Sequence, residues 1–158
     1  MSYTNADGLR VLTNADQGVV KTQGTAVTGM TQVLVVDLTF TAIGSSFGSS
    51  NIDLNNPYIP AGSLIKRADL VMTTAATGAS STLTIGTYNA AGTAIDADGI
   101  DATIALTAID ADGDTVRCDG AHLTTGGYIS ANAYIGAIYG TAVFTAGVGK
   151  LYIEYVKV

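Results

Sequence analysis

The chain has 158 residues, 7 Lys and Arg against 13 Asp and Glu, a formal net charge of −6, and 19 Gly beside only 2 Pro. That length fits one domain with one core. The acidic balance and the scattered basic residues exclude a phosphate-binding surface of the kind nucleic-acid proteins use, which needs clustered Lys and Arg. Charged residues make up 13% of the chain and hydrophobic ones 47%, so the surface is expected to be covered by Ser, Thr, Asn, Gly and Ala, and the glycine-rich composition predicts short strands joined by tight turns.

The amino terminus carries neither a basic region nor an apolar core of the signal-peptide type, and no stretch approaches 18 uninterrupted apolar residues. The expectation is a product made in the cytoplasm, with no membrane partner. Residues 1–29 are polar, with few core candidates, and they repeat themselves: Thr4-Asn5-Ala6-Asp7-Gly8 returns as Thr13-Asn14-Ala15-Asp16-Gln17-Gly18. Copies so close are too short to be structural repeats and read as turn chemistry within an extended amino-terminal arm, followed by a sandwich domain over 30–158.

From Thr31 to Ala42, Leu34, Val36, Leu38, Phe40 and Ala42 alternate with Asp37, Thr39 and Thr41, the pattern of a half-buried strand. A polar, glycine-rich loop follows, and Pro57 and Pro60 turn the chain. Ser63 to Thr74 predicts a long strand with Leu64, Ala68, Leu70 and Met72 in phase and with Lys66 and Arg67 on opposite faces. Ser81 to Tyr88 predicts another, with Leu83 and Ile85 inward.

Asp96-Ala97-Asp98-Gly99 recurs as Asp110-Ala111-Asp112-Gly113, and seven acidic residues fall between Asp96 and Asp119. Neither copy has EF-hand spacing, because Gly arrives at the fourth position and no Glu stands at the twelfth. Two readings remain: Asp-Gly turns, favoured by Gly's tolerance of positive φ, or a looser cation site using Asp96, Asp98, Asp101, Asp110, Asp112 and Asp114. Between the copies, Ile100, Ile104 and Ala108 at spacings of four, with Asp98 and Asp101 at the start, predict a short helix at about 100–108. Thr115 to Cys118, Tyr128 to Tyr139 and Val148 to Val158 predict three more strands. In the last, Leu151, Ile153 and Tyr155 alternate with Tyr152, Glu154 and Val156, so it is either central in a sheet or covered by a neighbouring subunit.

The chemistry of catalysis is sparse. One His and one Cys do not make a zinc set, and no Gly-x-Ser-x-Gly elbow occurs. No phosphate loop is present, so His122 reads as a loop histidine, Cys118 as a small buried apolar residue, and no enzyme and no cofactor are expected.

The stretches Ile59-Pro60-Ala61-Gly62-Ser63-Leu64-Ile65-Lys66-Arg67-Ala68, Leu83 to Asp101 and Lys150-Leu151-Tyr152-Ile153-Glu154-Tyr155 resemble the head decoration, or cement, proteins of tailed bacteriophages. The resemblance implies an all-β, single antiparallel β-sandwich of jelly-roll-like form. It also implies a virion protein that binds the outside of an assembled capsid as a homotrimer, with the major capsid protein as partner. Minor capsid, neck and tail-fibre proteins are the alternatives within a virion, and a carbohydrate- or calcium-binding β-sandwich is the alternative outside one. The absence of Trp speaks against a sugar platform, although the eight Tyr are able to substitute for it. The residues expected to make contacts are Thr4, Asn5, Asp7, Arg10, Asn14 and Asp16 in the arm, Pro57, Tyr58 and Pro60 in the loop, and Tyr152 and Tyr155 in the last strand.

Overall fold

Alternating side chains decide the architecture, because each strand can bury one face only by laying it against another sheet. The computed structural model describes the backbone of residues 2–4 and 10–12 and all of residues 30–51 and 57–158. Strands β1 (Ser2–Thr4) and β2 (Arg10–Leu12) form a two-stranded antiparallel ladder. The sandwich comprises β3 (Thr31–Thr39), β4 (Tyr58–Ile59), β5 (Ser63–Gly78), β6 (Thr82–Tyr88), β7 (Ala94–Ala105), β8 (Thr115–Arg117), β9 (Tyr128–Ile129), β10 (Ala133–Gly140) and β11 (Phe144–Lys157). The first sheet has the order β3-β11-β5-β8, with β9 also pairing β5, and the second β4-β10-β6-β7. All pairings are antiparallel. Early and late strands alternate within both sheets, and the chain crosses from one layer to the other at most connections, so the fold is an all-β sandwich of two antiparallel sheets. Among the described residues no helix is long and apolar enough to cross a membrane.

The core lies between the layers. Val36, Leu38, Leu70, Met72, Leu151 and Ile153 come from the first sheet, and Ile59, Leu83, Ile85, Ile100, Ile104 and Ile135 from the second. Phe40, where β3 gives way to a 3-10 turn at Phe40–Ala42, meets Phe144 edge-on at 4.9 Å between ring centroids. The strand expected to run to Ala42 therefore ends at Thr39, because Phe40 turns in to reach Phe144. In β11 the alternation holds residue by residue: Leu151, Ile153 and Tyr155 are buried while Tyr152, Glu154 and Val156 are half-buried on the other face. The strand is central, between β3 and β5.

In β5 the phase is broken. Ile65, not Leu64, is buried, and Lys66 and Arg67 are both exposed instead of lying on opposite faces. The cause is a register shift in which Glu154 faces Arg67 but Tyr155 faces Ile65, leaving Lys66 as the extra residue of a β-bulge. The strand expected over 128–139 is split into β9 and β10, which join different sheets.

No helix forms at 100–108. Strand β7 runs through Ala105, only Leu106–Ala108 makes a 3-10 turn, and Ala108 is exposed. A spacing of four fits an alternation of two as well as a helical turn, and Ile95, Ile100, Thr103 and Ile104 are β-branched residues that favour an extended chain. With β6 beside it, the strand wins: Leu83 faces Ile104 and Ile85 faces Asp101. Asp101 therefore caps no helix. It is buried within β7, with Oδ1 accepting the Thr103 N–H at 3.0 Å. Burial, joined by the nearby Asp119, raises its pKa, while backbone hydrogen bonds from Thr103 and Asp119 oppose the rise.

The two Asp-Ala-Asp-Gly copies have different structures. Residues 110–113 are a turn in which Gly113 takes φ +87°, and Asp114 Oδ2 accepts the Ala111 N–H at 2.9 Å. Residues 96–99 lie inside bulged β7, not in a turn, and Gly99 is required for space. A Cβ there would stand 2.4 Å from His122 Cδ2. Gly99→Ala is accordingly expected to cost about 2 kcal/mol through overpacking, and Gly113→Ala about 1 kcal/mol through the left-handed backbone. Thermal melts should rank the two in that order, and shortening His122 to Ala should relieve the first variant and leave the second unchanged.

Candidate interaction surface

Backbone pairing opposes Thr4 and Arg10 in the β1–β2 ladder, whereas Asn5, Asp7, Asn14 and Asp16 lie outside the described residues. Pro57 is exposed, and Tyr58, the outward residue of β4, rests its ring 5.4 Å from that of Tyr134. Pro60 is half-buried at the start of a turn held from three sides. The Ala61 N–H donates to Asn132 Oδ1 at 3.0 Å, Lys157 Nζ donates to the Ala61 carbonyl at 2.8 Å, and the Val158 N–H donates to the Gly62 carbonyl at 2.9 Å. Earlier in the same connection, Phe47 packs on Tyr88 at 4.4 Å between centroids, so this part of the loop is fixed to the outside of the second sheet. An open cleft of about 560 Å³ lies beside it, lined by Val36, Leu38, Ile43, Phe47, Pro57 and Ile135 among others.

Tyr155 and Tyr152 do lie on opposite faces of β11. Tyr155 is 7% exposed, and its hydroxyl donates to Gln32 Oε1 at 2.8 Å. It belongs to the core of its own chain, and only Tyr152 is presented outward.

The acidic set does not converge. Among the described residues, no three His, Cys, Asp or Glu side chains could hold one metal ion. Asp112 Oδ1 instead accepts the Ala75 N–H at 2.6 Å, Asp114 is used in its own turn, and Asp101 is buried in β7. His122 lies in a four-residue helix, α1 (Ala121–Thr124), not in an open loop; it is buried, and its Nε2 shares a hydrogen bond with Thr87 Oγ1 at 3.0 Å. Burial above all, helped by Asp101, Asp69 and Asp119, pushes the Cys118 thiol up to about 12, which leaves it protonated and unreactive at neutral pH.

The outer face of the first sheet stands apart. Cross-strand register sets Val35 beside Tyr152, which faces Asp69, which faces Arg117. Val33 lies beside Glu154, and Glu154 beside Arg67. Val33, Val35 and Val148 are 54%, 44% and 39% exposed, large values for apolar residues on a flat sheet face. Asp69 sits between two guanidinium groups: Arg67 Nε donates to one carboxylate oxygen, and Arg117 Nε donates to the other at 2.6 Å. Lys150 Nζ donates to Asp37 at 2.6 Å. Partial burial would raise the Asp69 pKa, but the two hydrogen bonds and the charges behind them outweigh it, and the carboxyl is held below its ordinary range. One signal for this network was present in the sequence, since Arg67 and Asp69 are two apart and so share a strand face. The third member, Arg117, required the β5–β8 pairing.

A carboxyl whose pKa is lowered by folding contributes stability that is present above its unfolded value and is lost as pH falls through the folded one. Wild type should therefore lose melting temperature more steeply below about pH 4 than Asp69→Asn does. At pH 7 the variant should be less stable by about 1 kcal/mol, a small value because both arginines are exposed, and 1 M NaCl should shrink the difference. Equal acid limbs for the two proteins would show that the network contributes nothing.

No family model matches the chain, and no curated protein does. Two solved structures share its fold. One is a chain of the acidic stable capsid structure of Helicobacter pylori bacteriophage KHP30, at 12% identity and TM-score 0.54, covering 82% of this chain and 90% of that one. The other is a chain of the capsid of Ralstonia phage GP4, at 16% identity and TM-score 0.55, covering 85% of this chain and 88% of that one. The fold of this protein is thus the fold of chains found in phage capsids.

Proposed function

We propose that this protein is a bacteriophage decoration protein, bound to the outer surface of an assembled capsid, which it stabilises. The observation that carries the reading is the fold likeness, which runs nearly end to end through chains of about the same size in two phage capsid structures. A likeness confined to a fragment of a large shell protein would carry less, since a common sandwich serves many functions.

The chemistry of the surface agrees with a binding role. The Cys118 thiol is kept protonated by burial, and His122 is engaged with Thr87 inside the fold. What the protein offers outward is apolar and paired-charge surface on a rigid sheet, together with the Tyr58 and Pro57 corner. In this reading it acts by binding and not by catalysis, its partner is the major capsid protein, and it associates as a homotrimer. The polar arm of residues 1–29 and the loop before β5 make the shell contacts, the arm by adding a strand to an exposed sheet edge. Three arms per trimer act at high effective concentration, so modest individual contacts sum to firm attachment.

The test uses capsids that lack this protein. Full-length chain added to them should co-sediment at saturating stoichiometry and raise the temperature at which the particles release DNA. A variant without residues 2–25 should melt as the full chain does yet fail to co-sediment. Full occupancy by the truncated protein would remove the arm from the account, and failure of the full-length chain to bind any such capsid would overturn the decoration role itself.

A further inference from the structure

One side of the sandwich is left open by two strand edges. β3 ends the first sheet, and among the described residues it pairs only with β11. β10 pairs with β4 over Ala133 and Tyr134, and from Ile135 onward it has no described strand on that side. The cleft of about 560 Å³ joins the two edges, since Val35 to Thr39 line it from β3 and Ile135 and Ala137 from β10. Consecutive strand residues point alternately to opposite faces, so all five residues from Val35 to Thr39 can line one cleft only if it runs along the strand's edge. β3 is nine residues long and carries no Lys or Pro, the usual guards of an exposed edge. Its outward Val33 and Val35 are 54% and 44% exposed.

We propose that this edge and cleft receive residues 19–27 of a neighbouring copy of the chain, added antiparallel to β3 with Lys21 opposite Asp37. Length and position argue for that segment. It ends three residues before Met30, which adjoins β3, and nine extended residues at about 3.3 Å each match the nine of β3. Its alternation fits the site as well: Val20, Thr22, Gly24 and Ala26 are small and uncharged, whereas Lys21 and Gln23 share the other face. In this register the small face meets Leu38, Val36 and Leu34. Lys21 comes beside Asp37, whose side chain is 75% exposed and gives Oδ1 to Lys150, so Oδ2 is open to a second cation. The chain's own segment fits less well. To reach the same register it must reverse over Thr28-Gly29-Met30, a three-residue hairpin that wants Gly at its third position, where Met30 stands. The tighter turn at Gly29-Met30 shifts the pairing by one and sets Lys21 and Gln23 against Leu38 and Val36. A neighbour's segment has no turn to satisfy, and passing it from copy to copy closes a ring when the rotation permits. The inference rests on the self-association in the proposed function and names its surface. It leaves residues 1–18 to reach the shell.

The test uses the full chain, with association read by light scattering and the strand pairing read by disulfide trapping. Gln23→Cys with Val35→Cys places two thiols directly opposite each other in the proposed ladder. Mild oxidation should give a covalent closed oligomer on a non-reducing gel, while Cys118 stays buried and reduced. The mismatched pair Thr22→Cys with Val35→Cys should cross-link at least about tenfold more slowly. Two single changes in the segment, outside the sandwich, then test which face turns inward. Thr22→Asp should weaken association about tenfold or more, because it presses a carboxylate against Val36 at the cleft, whereas Gln23→Asp should stay within about threefold of wild type. An internally linked monomer would show the chain's own segment in the site and overturn the proposal. Association that Thr22→Asp does not disturb, as expected if residues 52–56 or a shell segment fill the cleft, would also overturn it, as would a wild-type monomer at every concentration. Capsid binding is measured separately, and its loss with association intact would count against the decoration reading alone.

Discussion

The pairing of β11 with both β3 and β5 is the constraint on which the rest depends. The last strand lies between a strand from the start of the sandwich and one from its middle, so the first sheet cannot form until the chain is nearly complete. Its strict alternation fixes which way that sheet faces. A slip of one residue would turn Leu151, Ile153 and Tyr155 outward and bring Tyr152 and Glu154 into the core. The two-residue steps of β3 and β11 match, so Val36 and Leu151 face each other inward while Val35 and Tyr152 face each other outward. Core and outer face are two sides of one register.

The same register builds the electrostatics. Asp69 meets Arg117 because β5 pairs β8, and Lys150 meets Asp37 because β11 pairs β3. Arg67, Arg117 and Lys150 each have an anion opposite or close by on the sheet, where cross-strand pairs contribute a few tenths of a kcal/mol to about 1 kcal/mol. Such pairs do little for stability singly, but they hold guanidinium groups in fixed positions on a flat surface. A preordered surface loses less freedom on binding, which suits the proposed binding role.

Much of this fold was legible in the sequence because period-two patterning survives in β3, β6 and β11, each of which has one uninterrupted ladder, β3 with β11 and β6 with β10. It failed where the ladder is irregular. The bulge at Lys66 shifted β5 by one residue, and the break between Ile129 and Ala133 moved the chain to the other sheet. In β7 a spacing of four fitted helix and strand equally, and only the presence of β6 decided between them. The repeated Asp-Ala-Asp-Gly was misleading for a related reason. Local sequence offers the same turn chemistry twice, but tertiary packing accepted it at 110–113 and overrode it at 96–99, where Gly99 gives room to His122. Of the predicted contact residues, Tyr58 and Tyr152 are presented outward and Tyr155 is not, because the alternation that was visible did not say which of the two faces met the core. The Arg67–Asp69–Arg117 network depends on a pairing across nearly fifty residues of sequence, which no local pattern encodes.

The central claim is that this sandwich sits on the outside of a phage shell. A map of intact particles at side-chain resolution tests it most directly. The account predicts density for β3 to β11 on the exterior of the capsid lattice, in contact with the major capsid protein and repeated at symmetry-related positions. Finding the chain instead on the inner surface, confined to the neck or tail, or absent from the particle would contradict it.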